Sequence, residues 1–185
     1  AVLASLELSL DRTTADPRLE RLLRTSMASA RGLSGMIDDA LLVYRTGEAP
    51  AELHPEDVAS VLAQPFEEAR WMAEARQIRL DIRIADGIPP VALDAGRYRR
   101  ATSNILSNAL KFSRRGGDVQ ARVDVEEADG SRWLVLRVAD SGPGVPESVR
   151  GRLTEPYTRF AGSERVPGTG LGLTVVGAVA AAHGG

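Results

Sequence analysis

The sequence contains no cysteine, which excludes a disulfide framework, a thiolate metal site and a cysteine nucleophile. Its two histidines, His54 and His183, lie far apart in the chain, so a histidine-rich metal site is not expected. The formal net charge is only −2, which gives no indication of nucleic-acid binding. No apolar run approaches the ~20 residues that a membrane-spanning helix requires. The chain starts at Ala1 without a start methionine or a signal peptide, and we therefore expect it to be a fragment.

Lysine and asparagine are also scarce, and their positions are informative. The single lysine, Lys111, and the only two asparagines, Asn104 and Asn108, fall at positions i, i+4 and i+7 of a predicted helix from Asp94 to Phe112. A solvated face elsewhere in this chain uses arginine and glutamate, so the stripe favours a binding role. An asparagine oxygen suits Mg²⁺, an ion that is usually shared with substrate phosphates, and a lysine supplies a compact positive charge. The stripe therefore predicts a metal–triphosphate site.

The motif Asp140-Ser141-Gly142-Pro143-Gly144-Val145 follows a predicted strand. The Asp140 carboxylate can accept a hydrogen bond from an amine such as the exocyclic amino group of adenine. Gly142 and Gly144 allow a ring to approach the backbone closely and permit positive φ. Because Asp-Ser-Gly is also a common turn, this motif alone leaves a ligand pocket and a simple turn as alternatives.

The motif Gly168-Thr169-Gly170-Leu171-Gly172-Leu173 opens the last predicted helix, where free backbone N–H groups favour phosphate. Its glycine spacing excludes the dinucleotide fingerprint, and the position of the only lysine excludes a P-loop. A flexible glycine hinge is the alternative. The preceding stretch, Ala161 to Pro167, has little apolar content and is a candidate lid, and Arg159 before it suits either a phosphate contact or an exposed surface position.

The first 45 residues predict two helices. Val2 to Leu10 has helical spacing, Asp11 to Ala15 reads as a turn, and Asp16-Pro17 marks the start of a second helix that runs to about Arg45. That helix has a heptad seam, which favours packing in a coiled coil or bundle, with a second copy of the chain or its own domain as the partner. The seam consists of Leu23, Ala30, Ile37 and Tyr44 interleaved with Leu19, Ser26, Leu33 and Ala40.

Thr46 to Pro55 is the best linker candidate, and beyond it the pattern becomes mixed. Asp57 to Ala75 reads as a helix that Pro65 either kinks or restarts. Strand periodicity occurs at 78–84, 119–125 and 133–138, with a turn signal at Asp129-Gly130, and further helices are predicted at 94–112, 147–153 and 171–183.

The order N-x-x-x-N-A-x-K-F, D-x-G-x-G, E-P-Y-x-R-F, G-T-G-L-G-L and a helix ending in H-G-G resembles the sensor histidine kinases of two-component systems. The resemblance implies an α+β chain. Residues 1–45 would form a dimerisation and histidine-phosphotransfer hairpin, incomplete at its N-terminus, and residues 46–55 a linker. Residues 56–185 would form an α/β-sandwich ATP-binding domain, incomplete at its C-terminus. Its mixed sheet, covered by helices on one face, is the GHKL fold that gyrase, heat-shock chaperones and mismatch-repair proteins share.

The resemblance also implies roles for individual residues. Asn108 would ligate Mg²⁺ with support from Asn104, Lys111 would contact a phosphate, and Asp140 would read adenine. Thr169 to Leu173 would meet the phosphates through backbone amides. The complete implied ATP-binding set is Asn104, Asn108, Lys111, Phe112, Asp140, Gly142, Gly144, Arg159, Thr169, Gly170, Leu171, Gly172 and Leu173.

Three departures from the family pattern stand out. No histidine has the family's phosphoacceptor context, so the acceptor is expected upstream of Ala1. Thr154 stands where the family usually has phenylalanine, which bears on packing of the lid. The chain ends at Gly185, where the family adds further strands.

The implied activity is the catalytic core of a histidine kinase, with ATP and Mg²⁺ as cofactors, a homodimer through the hairpin, and a response regulator as the phosphoryl acceptor. The implied location is cytoplasmic, with any membrane anchor of the intact protein upstream. One alternative is a degenerate kinase that acts as a dimeric ATP-sensing scaffold, which the residues upstream of Ala1 would distinguish. A serine kinase on the same ATPase fold is another, but such relatives need no helical hairpin.

Overall fold

The computed structural model describes residues 17–48, 50–128, 130–158 and 168–185. The chain divides into two compact units, Ala1–Leu41 and Leu42–Gly185. The predicted helix from Val2 to Leu10, the turn after it and the predicted N-cap Asp16 lie outside the described residues.

Helix α1 (Pro17–Glu48) begins at the proline that the sequence indicates and extends three residues past its expected end at Arg45. Three residues of its heptad seam have large exposed fractions: Leu33 is 60% exposed, Ile37 59% and Tyr44 63%. Such apolar exposure along one stripe of a helix marks a packing surface. Because α1 continues to Glu48 and a strand begins at His54, both ends of the predicted linker Thr46–Pro55 have regular structure.

The second unit alternates helices and strands. Among the described residues, no helix is both long and apolar enough to cross a lipid bilayer. The elements after α1 are β1 (His54–Glu56), α2 (Val58–Arg76), β2 (Arg79–Ile84), β3 (Val91–Leu93), α3 (Ala95–Phe112), β4 (Asp118–Ala128), β5 (Ser131–Asp140), α4 (Glu147–Arg150) and α5 (Gly172–Ala182).

Strands β2, β4 and β5 form a mixed sheet, which confirms the predicted fold class. β2 pairs with β4 in parallel, with Ile82 opposite Ala121, and β4 pairs with β5 in antiparallel, with Ala121 opposite Val138. Parallel neighbours need a long crossover connection, and here β3 and α3 supply it. Strands β1 and β3, which the sequence does not predict, form a separate antiparallel pair.

One face of the sheet carries the core. Val119, Ala121 and Val123 alternate along β4 and are at most 1% exposed, as expected for a strand buried on one side. The apolar stripes of α2 and α3 cover this face, with Leu62 and Leu110 among the fully buried side chains. The packing fixes α3 over the sheet and thereby determines where its polar face lies.

Helix α2 shows how local signals set the boundaries. Its N-cap Asp57 accepts hydrogen bonds from the Ser60 hydroxyl (2.5 Å) and amide (3.0 Å), which lower the pKa of the Asp57 carboxyl. Pro65 is buried inside one continuous helix, so it does not restart the helix. Gln77 ends the helix in a left-handed conformation, with φ 56°.

Candidate functional site

The polar face of α3 lies where the sequence predicts it. Asp94 caps the helix by accepting a hydrogen bond from the Arg97 amide at 3.0 Å, and the helix then runs unbroken to Phe112. Asn104, Asn108 and Lys111 are half-buried, whereas the opposite side of α3 packs into the core. The three side chains are therefore partly accessible and stand on a rigid element.

Gly172 brings the second glycine motif against this face. A Cβ atom built on Gly172 would stand 3.6 Å from Asn108 Nδ2, 3.6 Å from Asn104 Cγ and 3.7 Å from Asn104 Oδ1. The absent side chain leaves room directly beside the two amide groups. A methyl group at that position would be in ordinary van der Waals contact with both amides.

The start of α5 is suited to an anion. Leu171 is its N-cap and makes no side-chain capping hydrogen bond. The Thr169 hydroxyl accepts a hydrogen bond from the Leu171 amide at 3.1 Å. The first amides of a helix point out of its end and carry its positive dipole. Leu171 itself is 6% exposed and belongs to the buried apolar residues.

The Asp140 motif packs against the end of α3. Asp140 is the last residue of β5, and its Oδ1 accepts a hydrogen bond from the Gly142 amide at 2.8 Å. A Cβ on Gly142 would stand 2.9 Å from the Phe112 carbonyl oxygen and 2.6 Å from Asp140 Oδ1, so only glycine fits. Gly144 has φ +74°, which glycine also adopts without strain. The predicted pocket residues Phe112, Asp140 and Gly142 are thus brought together.

The first residue of β4 forms a hydrogen bond with the motif that follows Asp140. Ser141 Oγ accepts a hydrogen bond from the Asp118 amide at 2.9 Å. Asp118 in turn pairs with Arg79 of β2 through two hydrogen bonds of 2.6 and 2.9 Å, and these bonds hold the pKa of Asp118 below its ordinary value. The sequence predicts no role for Ser141, and the only signal was its place between Asp140 and Gly142.

The segment before the predicted lid is anchored on the glycine motif. The Tyr157 amide donates a hydrogen bond to the Gly170 carbonyl at 3.1 Å. Gly170 has φ +76°, and a Cβ there would stand 2.8 Å from Tyr157 Cα. Thr154 packs on α5, where a Cβ on Gly177 would lie 2.9 Å from Thr154 Cγ2. Arg159 and the lid candidate 161–167 lie outside the described residues.

The metal-binding potential of the site depends on amide oxygens. No group of three or more histidine, cysteine, aspartate or glutamate side chains that could hold a metal occurs in the part of the chain that the structure describes. An ion held beside Gly172 would take a neutral oxygen from Asn108 or Asn104 and its remaining ligands from elsewhere. This donor set suits Mg²⁺, which is usually held by few protein ligands together with water and substrate phosphates.

Comparison with known proteins identifies the same family. Residues 93–185 match the family described as histidine kinase-, DNA gyrase B-, and HSP90-like ATPase. The chain is 32% identical over 142 residues to the alginate biosynthesis sensor protein KinB of Pseudomonas aeruginosa, covering 77% of this chain and 23% of that protein. It is 30% identical over 188 residues to the sensor protein IrlS of Burkholderia pseudomallei, covering all of this chain and 39% of that protein.

Solved structures give the same result. Full-length ShkA in complex with AMPPNP matches with a TM-score of 0.75 and 29% identity, over 99% of this chain and 38% of that one. The mycobacterial sensor histidine kinase MprB matches with a TM-score of 0.58 and 32% identity, over 71% of this chain and 80% of that one. This chain therefore spans less than half the length of KinB, IrlS and ShkA. It belongs to the histidine kinase-, DNA gyrase B-, and HSP90-like ATPase family, and within that family to the sensor histidine kinases.

Proposed function

We propose that this chain binds ATP with Mg²⁺ and serves as the catalytic core of a sensor histidine kinase. The observation that carries the proposal is the closeness of Gly172 to Asn104 and Asn108, because it combines a helix N-terminus with a pair of metal-suited amides. The relatives named as sensor kinases, and the AMPPNP bound to ShkA, support the same assignment.

The adenine would lie beside Asp140. Asp140 Oδ1 accepts a hydrogen bond from the Gly142 amide. Its Oδ2 would accept a hydrogen bond from the amino group of the base. The phosphates would lie between the stripe on α3 and the start of α5. There the backbone amides near Gly172 and the ammonium of Lys111 would neutralise negative charge.

Bound Mg²⁺ would neutralise phosphate charge during transfer. Asn108 would hold it through its side-chain oxygen, and the side-chain oxygen of Asn104 lies 3.7 Å from the position of a Cβ on Gly172. The chain's own contribution is to orient the triphosphate and to stabilise charge with groups that are already in place, as in phosphoryl transfer generally.

We further propose that the phosphoryl group passes to a histidine on the helical hairpin and then to a response-regulator aspartate. Neither histidine of this chain is assigned as the acceptor. His183 uses both ring nitrogens in hydrogen bonds, and His54 lies in β1, within the ATP-binding unit. The exposed seam of α1 would bind a second copy of the chain.

Calorimetric titration of the chain with ATP tests the site, with and without MgCl₂. We expect tight binding only with Mg²⁺, and Asn108→Ala should remove the Mg²⁺-dependent part. Gln120→Ala is the matched control, because it removes a carboxamide from an exposed position on β4. Mg²⁺-dependent binding that survives in Asn108→Ala would contradict the assignment of Asn108.

A further inference from the structure

His183, which the proposed function does not use, links the ends of two helices. Its Nε2 accepts a hydrogen bond from the Asp94 amide at 2.9 Å, and its Nδ1 lies 2.8 Å from the Val179 carbonyl oxygen. An amide only donates and a carbonyl only accepts, so Nε2 must be bare and Nδ1 must carry the hydrogen. The two contacts together require a neutral imidazole.

The link lies at one end of the helix pair that forms the site. Helices α3 and α5 run in opposite directions: Asp94, before α3, meets His183, after α5, whereas Asn108 on α3 meets Gly172 at the start of α5. Between these ends, the buried contact involves small and medium side chains, Ala101, Val175 and Val179. The bond between Asp94 and His183 therefore restrains the angle and spacing of the two helices.

Asp94, Tyr98 and Arg132 are charged or titratable groups near His183. The Asp94 carboxylate is already paired with Arg97 through the Arg97 amide (3.0 Å) and side-chain Nε (3.1 Å). Tyr98 of α3 meets the imidazole edge-on with ring centroids 6.3 Å apart, and burial raises the pKa of Tyr98 to about 12, so its phenol stays neutral. Arg132 of β5 lines the same cavity of about 440 Å³ as His183 and adds positive charge.

Resting on the proposed function, we propose that His183 is a positioning residue that holds α3 against α5 only while its imidazole is neutral. A protonated ring would present an N–H to the Asp94 amide, so that bond would be lost. The spacing between Asn108 and Gly172 would then loosen, and the affinity of the site for ATP would fall.

ATP affinity measured from pH 8.0 to 5.5 in saturating Mg²⁺ tests the proposal on the whole chain. We expect wild-type affinity to fall about fivefold beyond the fall caused by protonation of ATP itself, the factor expected for one hydrogen bond. His183→Gln keeps an oxygen that can accept the Asp94 amide and does not titrate, so the extra pH dependence should disappear with near-normal affinity at pH 8. His183→Ala should bind more weakly at every pH.

His54→Gln is the matched control, since it removes the only other histidine. His54→Gln should keep the wild-type pH profile of ATP affinity. The protonation of ATP itself contributes equally to the profiles of all variants. Unchanged pH dependence in His183→Gln, or its loss in His54→Gln, would overturn the role of His183 alone. Absence of ATP binding by the wild-type chain at pH 8 would instead overturn the proposed function and this inference together.

Discussion

Gly172 faces Asn108 across the α3–α5 contact, with 3.6 Å between the position of a Cβ on Gly172 and Asn108 Nδ2. That separation is ordinary van der Waals contact, so the fold can accommodate a methyl group on residue 172. The methyl group would, however, occupy the space in which we propose that the ligand binds. The relationship makes Gly172 a position at which binding and folding are separable. The substitution Gly172→Ala tests this directly.

We expect Gly172→Ala to fold normally and to bind ATP about tenfold more weakly, in line with the cost of about 1–3 kcal/mol for adding a methyl group to a filled space. Calorimetry and thermal denaturation measure the two effects separately. Gly151→Ala is the control, because Gly151 has a right-handed backbone (φ −68°) and open space around it. Equal ATP affinity in the two variants would show that the space beside Asn108 is not used.

Gly170→Ala should destabilise the chain more than an equivalent change elsewhere. A residue with a side chain at positive φ costs about 1–2 kcal/mol, and at Gly170 the new Cβ would also meet Tyr157 Cα at 2.8 Å. Gly87→Ala carries a similar φ of +72° with nothing within 4 Å, so it isolates the backbone cost. Urea unfolding of both variants gives the difference, and a smaller loss at Gly170 would contradict the Tyr157 contact.

Asp140→Asn should leave the turn intact and weaken ATP binding. Asn keeps one oxygen for the Gly142 amide but replaces the second acceptor with an amino group. We expect about a tenfold loss of affinity, typical of a hydrogen bond to a charged group, and a reduced preference for ATP over GTP. Asp86→Asn, in an exposed turn, is the matched control. Competition titrations that show unaltered nucleotide preference would refute a role for Asp140 in reading the base.

Leu33→Glu should separate the proposed dimer. Leu33 is 60% exposed within one chain, and a glutamate there would be buried in an apolar seam if two copies associate. Sedimentation equilibrium should show self-association weakened by about tenfold or more. Leu53→Glu places the same charge at an exposed leucine outside the helix and should not alter association. A wild-type chain that is monomeric at high concentration would contradict the dimer itself.

The sequence predicted α3 closely because its signals are local. Asp94 is an N-cap, and the amphipathic pattern continues to Phe112. Strands β4 and β5 are longer than the segments of alternating apolar residues from which we predicted them. Their antiparallel pairing continues to Glu127 and Arg132, where the apolar alternation has already ended. The sequence did not predict β1 and β3, because a strand of three residues is too short to show the alternation of apolar and polar residues.

The residues of the candidate site could be selected from the sequence, whereas the contacts between them could not. Rare residue types and glycine spacing are enough to identify the stripe and the two motifs in the sequence. The approach of Gly142 to Phe112 depends on the antiparallel register of β4 and β5, which places Asp140 opposite Val119, and on the packing of α3 on the sheet, neither of which a local pattern encodes. Thr154 was expected to affect lid packing, and its contact with Gly177 is a long-range pairing of two small residues that single-position reasoning does not reveal.

The length of the β4–β5 hairpin has a practical consequence. Its tip lies beyond the pair Ala128–Ser131, while Asp140 sits opposite Val119 at the other end, about 30 Å away at ~3.3 Å per residue. Gly130, at the tip, has φ +75° and open space around it. A reporter attached at the exposed Ser131, beside that tip, would therefore sit about 30 Å from the proposed nucleotide site, at ~3.3 Å per residue, and would not intrude on the opposite end of the sheet.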